Sequence, residues 1–239
     1  MRTKLMFQIA DDSITPFIRR NPIAINIEQW LRYSRHHAAD LDPFSTISVN
    51  PNHVYDRNQK VIPKNQRHLS HVIDGDWDTH SQPFEERILY QSLENHFING
   101  TPWPETRLYQ QVLDGNLYWR GVESQSELEH RCRFVDDLYQ QIKKHGYMSQ
   151  DELNTVSLYP REVKIAIGRQ GRMFYVNGKH RLAIAKLLSL SKIPVNVAIR
   201  HQRWQELRDY IVSENNSIIC SEFPDQISSH PDISPLLHE

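Results

Sequence analysis

The most regular hydrophobic pattern lies in the middle of the chain. Apolar residues there recur three or four positions apart, which predicts a long helix that begins at Ser124 or Ser126 and stops at Gly146. Its inner face is predicted to consist of Leu128, Phe134, Val135, Leu138 and Ile142. This helix is the best-defined element that the pattern predicts.

The apolar pattern changes period after this helix. The runs "VKIAI" (163–167) and "MFYV" (173–176) predict two strands, joined by a hairpin turn with two glycines. A helix over "HRLAIAKLLSL", a strand over "KIPVNVAIR" and a terminal helix over "RWQELRDYIVSEN" are predicted to follow. The second half therefore mixes short strands with helices.

The first half is less regular. It predicts an extended start over 1–10, a helix over about 25–39 and a short strand around 46–49. A polar, turn-rich stretch over about 57–78 is predicted to be a long loop, and loops of that size are often functional or mobile. A helical block follows, with one helix that ends at Gly100 and a shorter one after a Pro-bracketed turn.

Composition narrows the classes of protein. The 239 residues include 28 basic and 29 acidic side chains, a net charge of −1, so a nucleic-acid partner is disfavoured and any anion site is local. No stretch reaches the ~20 apolar residues of a membrane span, and the N-terminus is a poor signal peptide. Cys132 and Cys220 fit neither a disulfide scaffold nor a zinc motif. We therefore expect a cytoplasmic protein with no membrane partner.

Three cations stand between a predicted strand and a predicted helix, in the stretch "NGKHR" from Asn177 to Arg181. The first amides of a helix have no intrahelical partners and carry partial positive charge, so they stabilise an anion. Gly178 lets the backbone approach a ligand, Lys179 and Arg181 supply charge, and His180 can donate a hydrogen bond. The alternative is an ordinary Asn-Gly turn with surface cations. Both interpretations stay open on these residues alone.

The stretch "FYVNGKHRLAIAKLLSLSKIPVNVAIR" resembles the core of the ParB/sulfiredoxin-like superfamily. In that superfamily a strand leads through a Gly-x-x-Arg or Gly-x-His-Arg turn into a helix, and a Lys-Ile-Pro-Val-type strand follows. The resemblance implies an α+β fold, with a small mixed sheet packed with helices. It also implies that Gly178, His180 and Arg181 contact the phosphates of a nucleotide, with Asn177 and Lys179 beside them.

The chain departs from the family in ways that limit the function. Lys179 stands where sulfiredoxin has its catalytic cysteine, so sulfinic-acid reduction is not expected. The residues after Arg200 are too few for the DNA-binding domain of a partition protein. The resemblance implies one domain over 1–239, with its core at about 41–56 and 124–204. A helical insertion would occupy about 83–121, and a C-terminal helix and tail 202–239.

Asp76 and Asp78, in the loop "DGDWD", are the carboxylates that we expect to bind Mg²⁺ or accept a proton at this site. The alternative is a solvated acidic loop with Trp77 packed below it. Arg200 and His201, just after the last strand, either line the same site as His180 or form a rim. The sequence does not choose between these alternatives.

The leading hypothesis is an ATP- or other NTP-dependent phosphotransferase, such as a kinase, or an NTP hydrolase acting on a small molecule. Lys179, Arg181 and the helix N-terminus would hold the nucleotide di- or triphosphate, and His180 would hydrogen-bond a phosphoryl oxygen. A non-catalytic nucleotide-sensing module and a DNA-directed binder or nuclease stay open as alternatives. The insertion is a lid, a homodimer interface or a site for another partner.

Overall fold

The computed structural model describes residues 37, 39, 41–42, 45–57, 71–149, 162–213 and 225–237. Seven strands in these ranges form one mixed sheet. They are β1 (Thr46–Val49), β2 (Val54–Arg57), β3 (His71–Ile73), β4 (Ser81–Gln82), β5 (Val163–Ile167), β6 (Met173–Asn177) and β7 (Ile193–His201). With the helices below, the chain is an α+β protein.

The centre of the sheet is built from the second half of the chain. The order is β1-β7-β5-β6-β2-β4. Strands β5 and β6 form the antiparallel hairpin, β5 runs parallel to β7, and β6 runs parallel to β2. Two short strands share the outer side of β7: β1 pairs antiparallel with its first half, and β3 pairs parallel with its second half.

The helices in the described residues are α1 (Ile88–Phe97), α2 (Arg107–Leu113), α3 (Gln125–His145), α4 (Lys179–Leu187), α5 (Gln202–Ser213) and α6 (Asp225–Ser228). Short 3₁₀ turns lie at Pro51–His53, Phe84–Glu86, Trp103–Glu105 and Ser234–Leu237. Ser124 caps α3 by accepting the Glu127 amide at 3.3 Å, and the Glu127 carboxylate accepts the Glu123 amide at 2.7 Å. Of the two caps that the sequence allowed for α3, Ser124 is the one observed, and the predicted end at Gly146 is confirmed.

The sheet is buried on both faces, as its nearly continuous apolar strands require. The larger core joins one face of β5 to α3, α4 and the helices of the 83–121 segment, and includes Leu93, Trp103, Leu128, Ile165 and Ile184. A smaller cluster covers the other face, with Trp77, Ala166, Phe174, Val176, Ala198 and Ile199. The 83–121 segment thus packs into the same core as the central hairpin and α4.

Two of the predictions made from the sequence are wrong. The stretch over about 57–78 is not wholly a loop, because His71–Ile73 forms β3. Phe134 is not on the inner face of α3, since half of its surface is exposed; Cys132 and Tyr139 lie there instead. The extended start over 1–10 and all but His37 and Ala39 of the helix over about 25–39 lie outside the described residues.

Candidate functional site at the start of α4

Gly178 makes the turn from β6 into α4. It has φ 88° and ψ 32°, the left-handed region in which glycine is the preferred residue. A Cβ at this position would lie 3.0 Å from the Cα of Val163, so a side chain would collide with the backbone at the start of β5. Asn177 closes the turn locally, because its Oδ1 accepts the Gly178 amide at 2.8 Å.

The N-terminus of α4 carries no side-chain cap. Its first helical hydrogen bond runs from the Leu182 amide to the Gly178 carbonyl at 3.1 Å, so the amides of residues 179–181 precede the hydrogen-bonded turns. Thr106 and Ser124 cap α2 and α3 with their side chains. Within the described residues no side chain caps the start of α4, which therefore presents its positive pole.

Lys179 and His180 both lie against Trp119, a buried residue of the 83–121 segment. The Lys179 Nζ is 5.5 Å from the centre of the Trp119 ring, and the His180 ring stacks on it with centres 5.6 Å apart. The His180 Nε2 is buried and has no hydrogen-bond partner in the described part of the chain. Burial, together with the positive charges of Lys179 and Arg131, lowers the pKa of His180 to about 3. His180 is therefore a neutral imidazole at physiological pH.

Arg131 on α3 completes this cationic group, although it was not among the predicted site residues. Burial lowers the pKa of Lys179, and the charges of Arg87 and Arg131 lower it further. Arg87 is paired with Asp56 at 2.6 Å. Within the described ranges neither Lys179 nor Arg131 has a carboxylate partner within ion-pair distance. The hydrogen bond that Arg131 makes to another described residue runs to the Arg120 carbonyl, at 3.2 Å.

A sequence signal for Arg131 did exist. It follows Leu128 by three positions and precedes Val135 by four, so it belongs to the inward stripe of the predicted helix. A cation at such a position needs a partner, because burial without one is costly.

Arg181 belongs to the same triplet but points elsewhere. Its Nη1 donates to Glu162 Oε2 at 3.2 Å, and the Tyr147 hydroxyl donates to the same oxygen at 3.1 Å. Glu162 is buried, with its side chain 5% exposed. Arg181 is thus held by a buried carboxylate and is oriented separately from Lys179 and His180.

Asp76 and Asp78 are not brought to the start of α4. Asp78 accepts the Arg169 amide at 2.6 Å and the Arg169 guanidinium at 2.8 Å; Asp76 accepts the same guanidinium at 2.8 Å. Arg169 lies in the β5–β6 turn, at the opposite end of the hairpin from Gly178. A strand of five residues such as β6 spans about 15 Å. The two halves of the predicted phosphate and Mg²⁺ site are therefore separate.

Arg200 and His201 also lie at the distant end. Arg200 binds Asp232 through two hydrogen bonds at 2.9 and 2.6 Å, and the His201 ring is 2.9 Å from the Gly75 carbonyl. They do not line the surroundings of His180. Among the described residues, no group of three or more His, Cys, Asp or Glu side chains is arranged to hold a metal ion.

Comparison with family models, with curated proteins and with solved structures finds no match to this chain. Within the described ranges, none of the helices combines the length and the apolar character needed to cross a membrane.

Proposed function

We propose that this protein binds a nucleotide through its phosphates at the start of α4. The observation that carries the proposal is the set of unsatisfied groups there. Within the described residues it comprises the uncapped amides of residues 179–181, the cations Lys179 and Arg131, which lack a carboxylate partner, and the buried Nε2 of His180. Each of these groups gains from a phosphate oxygen.

The charges at the start of α4 favour a bound anion over no ligand. Lys179 is mostly buried, lies close to other cations and has a lowered pKa, so its charged form is held at a cost. A bound phosphate would offset that cost for Lys179, would pair with Arg131 and would accept a hydrogen bond from His180. In this proposal Arg131 takes the charge-neutralising role that the sequence analysis gave to Arg181.

The reaction we propose is phosphoryl transfer to a small molecule, or NTP hydrolysis, on a ParB/sulfiredoxin-like domain. The order β5, β6, glycine turn, α4, β7 supports this, because it is the order that the family resemblance implies. Such a reaction depends mainly on positioning and on neutralising phosphate charge. Asp76 and Asp78 do not fit a metal site at these phosphates, since they are bound to Arg169 at the far end of the hairpin. The proposal includes no step through Mg²⁺.

A second candidate is a non-catalytic nucleotide sensor. The contact of Trp119 with both Lys179 and His180 favours it, because Trp119 belongs to the 83–121 segment. A ligand that reorders the two cations would change the contacts of that segment directly. Nucleotide binding would then change the affinity for a protein partner, and the nucleotide would not be turned over.

Isothermal titration calorimetry with pyrophosphate, ATP, ADP, CTP and GTP tests the shared premise. Lys179→Ala and Arg131→Ala should each weaken binding by about tenfold or more, because a charge-assisted hydrogen bond is worth about 1.5–3 kcal/mol. Lys144→Ala and Arg133→Ala are matched controls, since both side chains are exposed on α3 and should leave affinity unchanged.

The proposal fails if neither pyrophosphate nor any nucleotide binds, or if the test and control variants bind alike. An enzyme would release phosphate or transfer label from γ-labelled nucleotide to a small molecule, whereas a sensor would do neither. Tight binding without turnover would favour the sensor.

A further inference from the structure

A cavity of about 400 Å³ opens beside Arg181. It lies between the C-terminal end of α3 and the segment that follows it. Six of its lining residues are Leu138, Gln141, Ile142, Tyr147, Met148 and Arg181. The volume falls within the range of about 300–1,000 Å³ that is usual for small-molecule sites.

The walls of this cavity are mostly apolar and partly planar. Leu138, Ile142 and Met148 supply aliphatic surface, and the Arg181 guanidinium lies 5.9 Å from the centre of the Tyr147 ring. Glu162 fixes that guanidinium through a contact of 3.2 Å, so its flat face is held in one orientation. Gln141 adds an amide at the rim, where it can donate and accept hydrogen bonds. A flat ring with a polar edge matches this combination of walls and rim.

The cavity is connected to the start of α4 through Arg181 itself. The backbone amide of Arg181 is one of the three uncapped amides, and its side chain lines the cavity. Glu162, which holds that side chain, immediately precedes Val163, the residue against which Gly178 packs. Arg181 thus contributes both to the uncapped amides and to an apolar cavity, which suits the rest of a ligand whose phosphates lie on those amides.

We propose that this cavity binds the nucleobase of the nucleotide whose phosphates lie at the start of α4. The inference rests on the proposed function and assigns the other end of the same ligand. Arg181 stacks on the base, because a weakly hydrated planar guanidinium packs well against aromatic rings. Gln141 hydrogen-bonds the polar edge of the base and so contributes to the choice among bases.

Calorimetry on the full chain with pyrophosphate, four nucleoside triphosphates and the matching nucleosides tests this assignment. One triphosphate should bind at least about tenfold more tightly than pyrophosphate, because stacking of a base on planar side chains is worth that much. Gln141→Trp should remove that advantage by filling the mouth of the cavity, while leaving the affinity for pyrophosphate unchanged. Gln140→Trp is the matched control, since Gln140 is an exposed neighbour on α3 outside the cavity lining. Met148→Trp, at the half-exposed rim, is a second filling variant.

The outcomes separate the two proposals. The cavity assignment is overturned, and the phosphate site stands, if pyrophosphate binds but no triphosphate binds more tightly, or if both filling variants keep the advantage. Binding of a nucleoside that Gln141→Trp abolishes supports the cavity even where pyrophosphate fails to bind. Absence of binding by pyrophosphate, triphosphates and nucleosides overturns both.

Discussion

Asp76 and Asp78 are two positions apart and have opposite surroundings. The side chain of Asp78 is 5% exposed, whereas that of Asp76 is 83% exposed, although both contact Arg169. Burial alone would raise the pKa of Asp78, but hydrogen bonds from Arg169 and the charges of His201 and Arg169 outweigh it and lower the pKa. Asp78 therefore holds the acidic loop to the β5–β6 turn, and Asp76 adds only a solvated contact.

We expect Asp78→Asn to lower the free energy of unfolding by about 1.5–3 kcal/mol, because it breaks a part-buried, charge-assisted set of hydrogen bonds. Asp76→Asn should change it by no more than about 0.5 kcal/mol, as for other exposed ion pairs. Urea unfolding of the two variants measures the difference. Equal effects from both substitutions would contradict this account.

The "NGKHR" site was only partly predictable, and the directions of its individual side chains explain why. The motif identified the turn, the glycine and the start of a helix, all of which depend on local sequence. The directions of the three cations depend on what packs around α4, because successive helical side chains diverge by about 100°. Lys179 and His180 meet Trp119, whereas Arg181 meets Glu162, and neither partner could be inferred from the motif.

At the scale of elements, the junction between β6 and α4 depends on Gly178. Two requirements coincide there, a positive φ and the absence of a Cβ next to Val163. Gly115, which follows α2, shares only the first requirement: its φ is 72° and nothing lies near the position of a Cβ. The two glycines therefore form a natural matched pair.

Gly178→Ala should lower the free energy of unfolding by about 3 kcal/mol or more, through left-handed strain of about 1–2 kcal/mol plus displacement of the β5 backbone. Gly115→Ala should cost only the strain, about 1–2 kcal/mol. Thermal or urea unfolding monitored by circular dichroism compares them. A smaller loss at Gly178 than at Gly115 would show that the Val163 contact is unimportant.

Helices and strands whose apolar residues recur at a regular spacing were predicted from the sequence. A short strand that depends on pairing with its neighbour was not. The strands β5, β6 and β7 and the helices α1, α3 and α4 are confirmed because their apolar residues follow one period each. Strand β3 has three residues in a polar stretch, and it exists as a strand only through pairing with β7. Phe134 was misplaced because α3 packs through a stripe with alternating spacings of four and three, at Leu128, Cys132, Val135, Tyr139 and Ile142.

At the scale of the whole molecule, a buried carboxylate links the segment 225–237 to α5 and β7. Asp232 accepts hydrogen bonds from Arg200 at 2.6 Å and from the Trp204 ring at 2.9 Å, and it lies 3.3 Å from the Arg208 guanidinium. Burial alone would raise its pKa, but the charges of Arg200 and Arg208 and these hydrogen bonds lower it to about 2. The carboxylate stays ionised at any pH near neutrality.

Asp232→Asn should lower the free energy of unfolding by about 3–5 kcal/mol, because two buried guanidinium groups lose an ionised partner. The folded pKa is below the ordinary 3.8 of an aspartate, so this stabilisation is fully present above about pH 4. It is lost as the pH falls through 3.8 towards about 2. Urea unfolding of both proteins at several pH values measures this, with the exposed Asp137→Asn as control. A difference that persists unchanged at pH 2 would contradict the assignment.

The two short strands beside β7 have a consequence for behaviour at high concentration. An exposed strand edge invites pairing with another copy of the chain, which is a route to aggregation. Within the described ranges, one side of the sheet ends in β1 and β3, of four and three residues, and the other ends in β4, of two residues. Each is shorter than a typical strand of about five or six residues. The edge strands in the described part of the chain therefore give a second copy little backbone on which to extend the sheet, which protects against fibrous assembly.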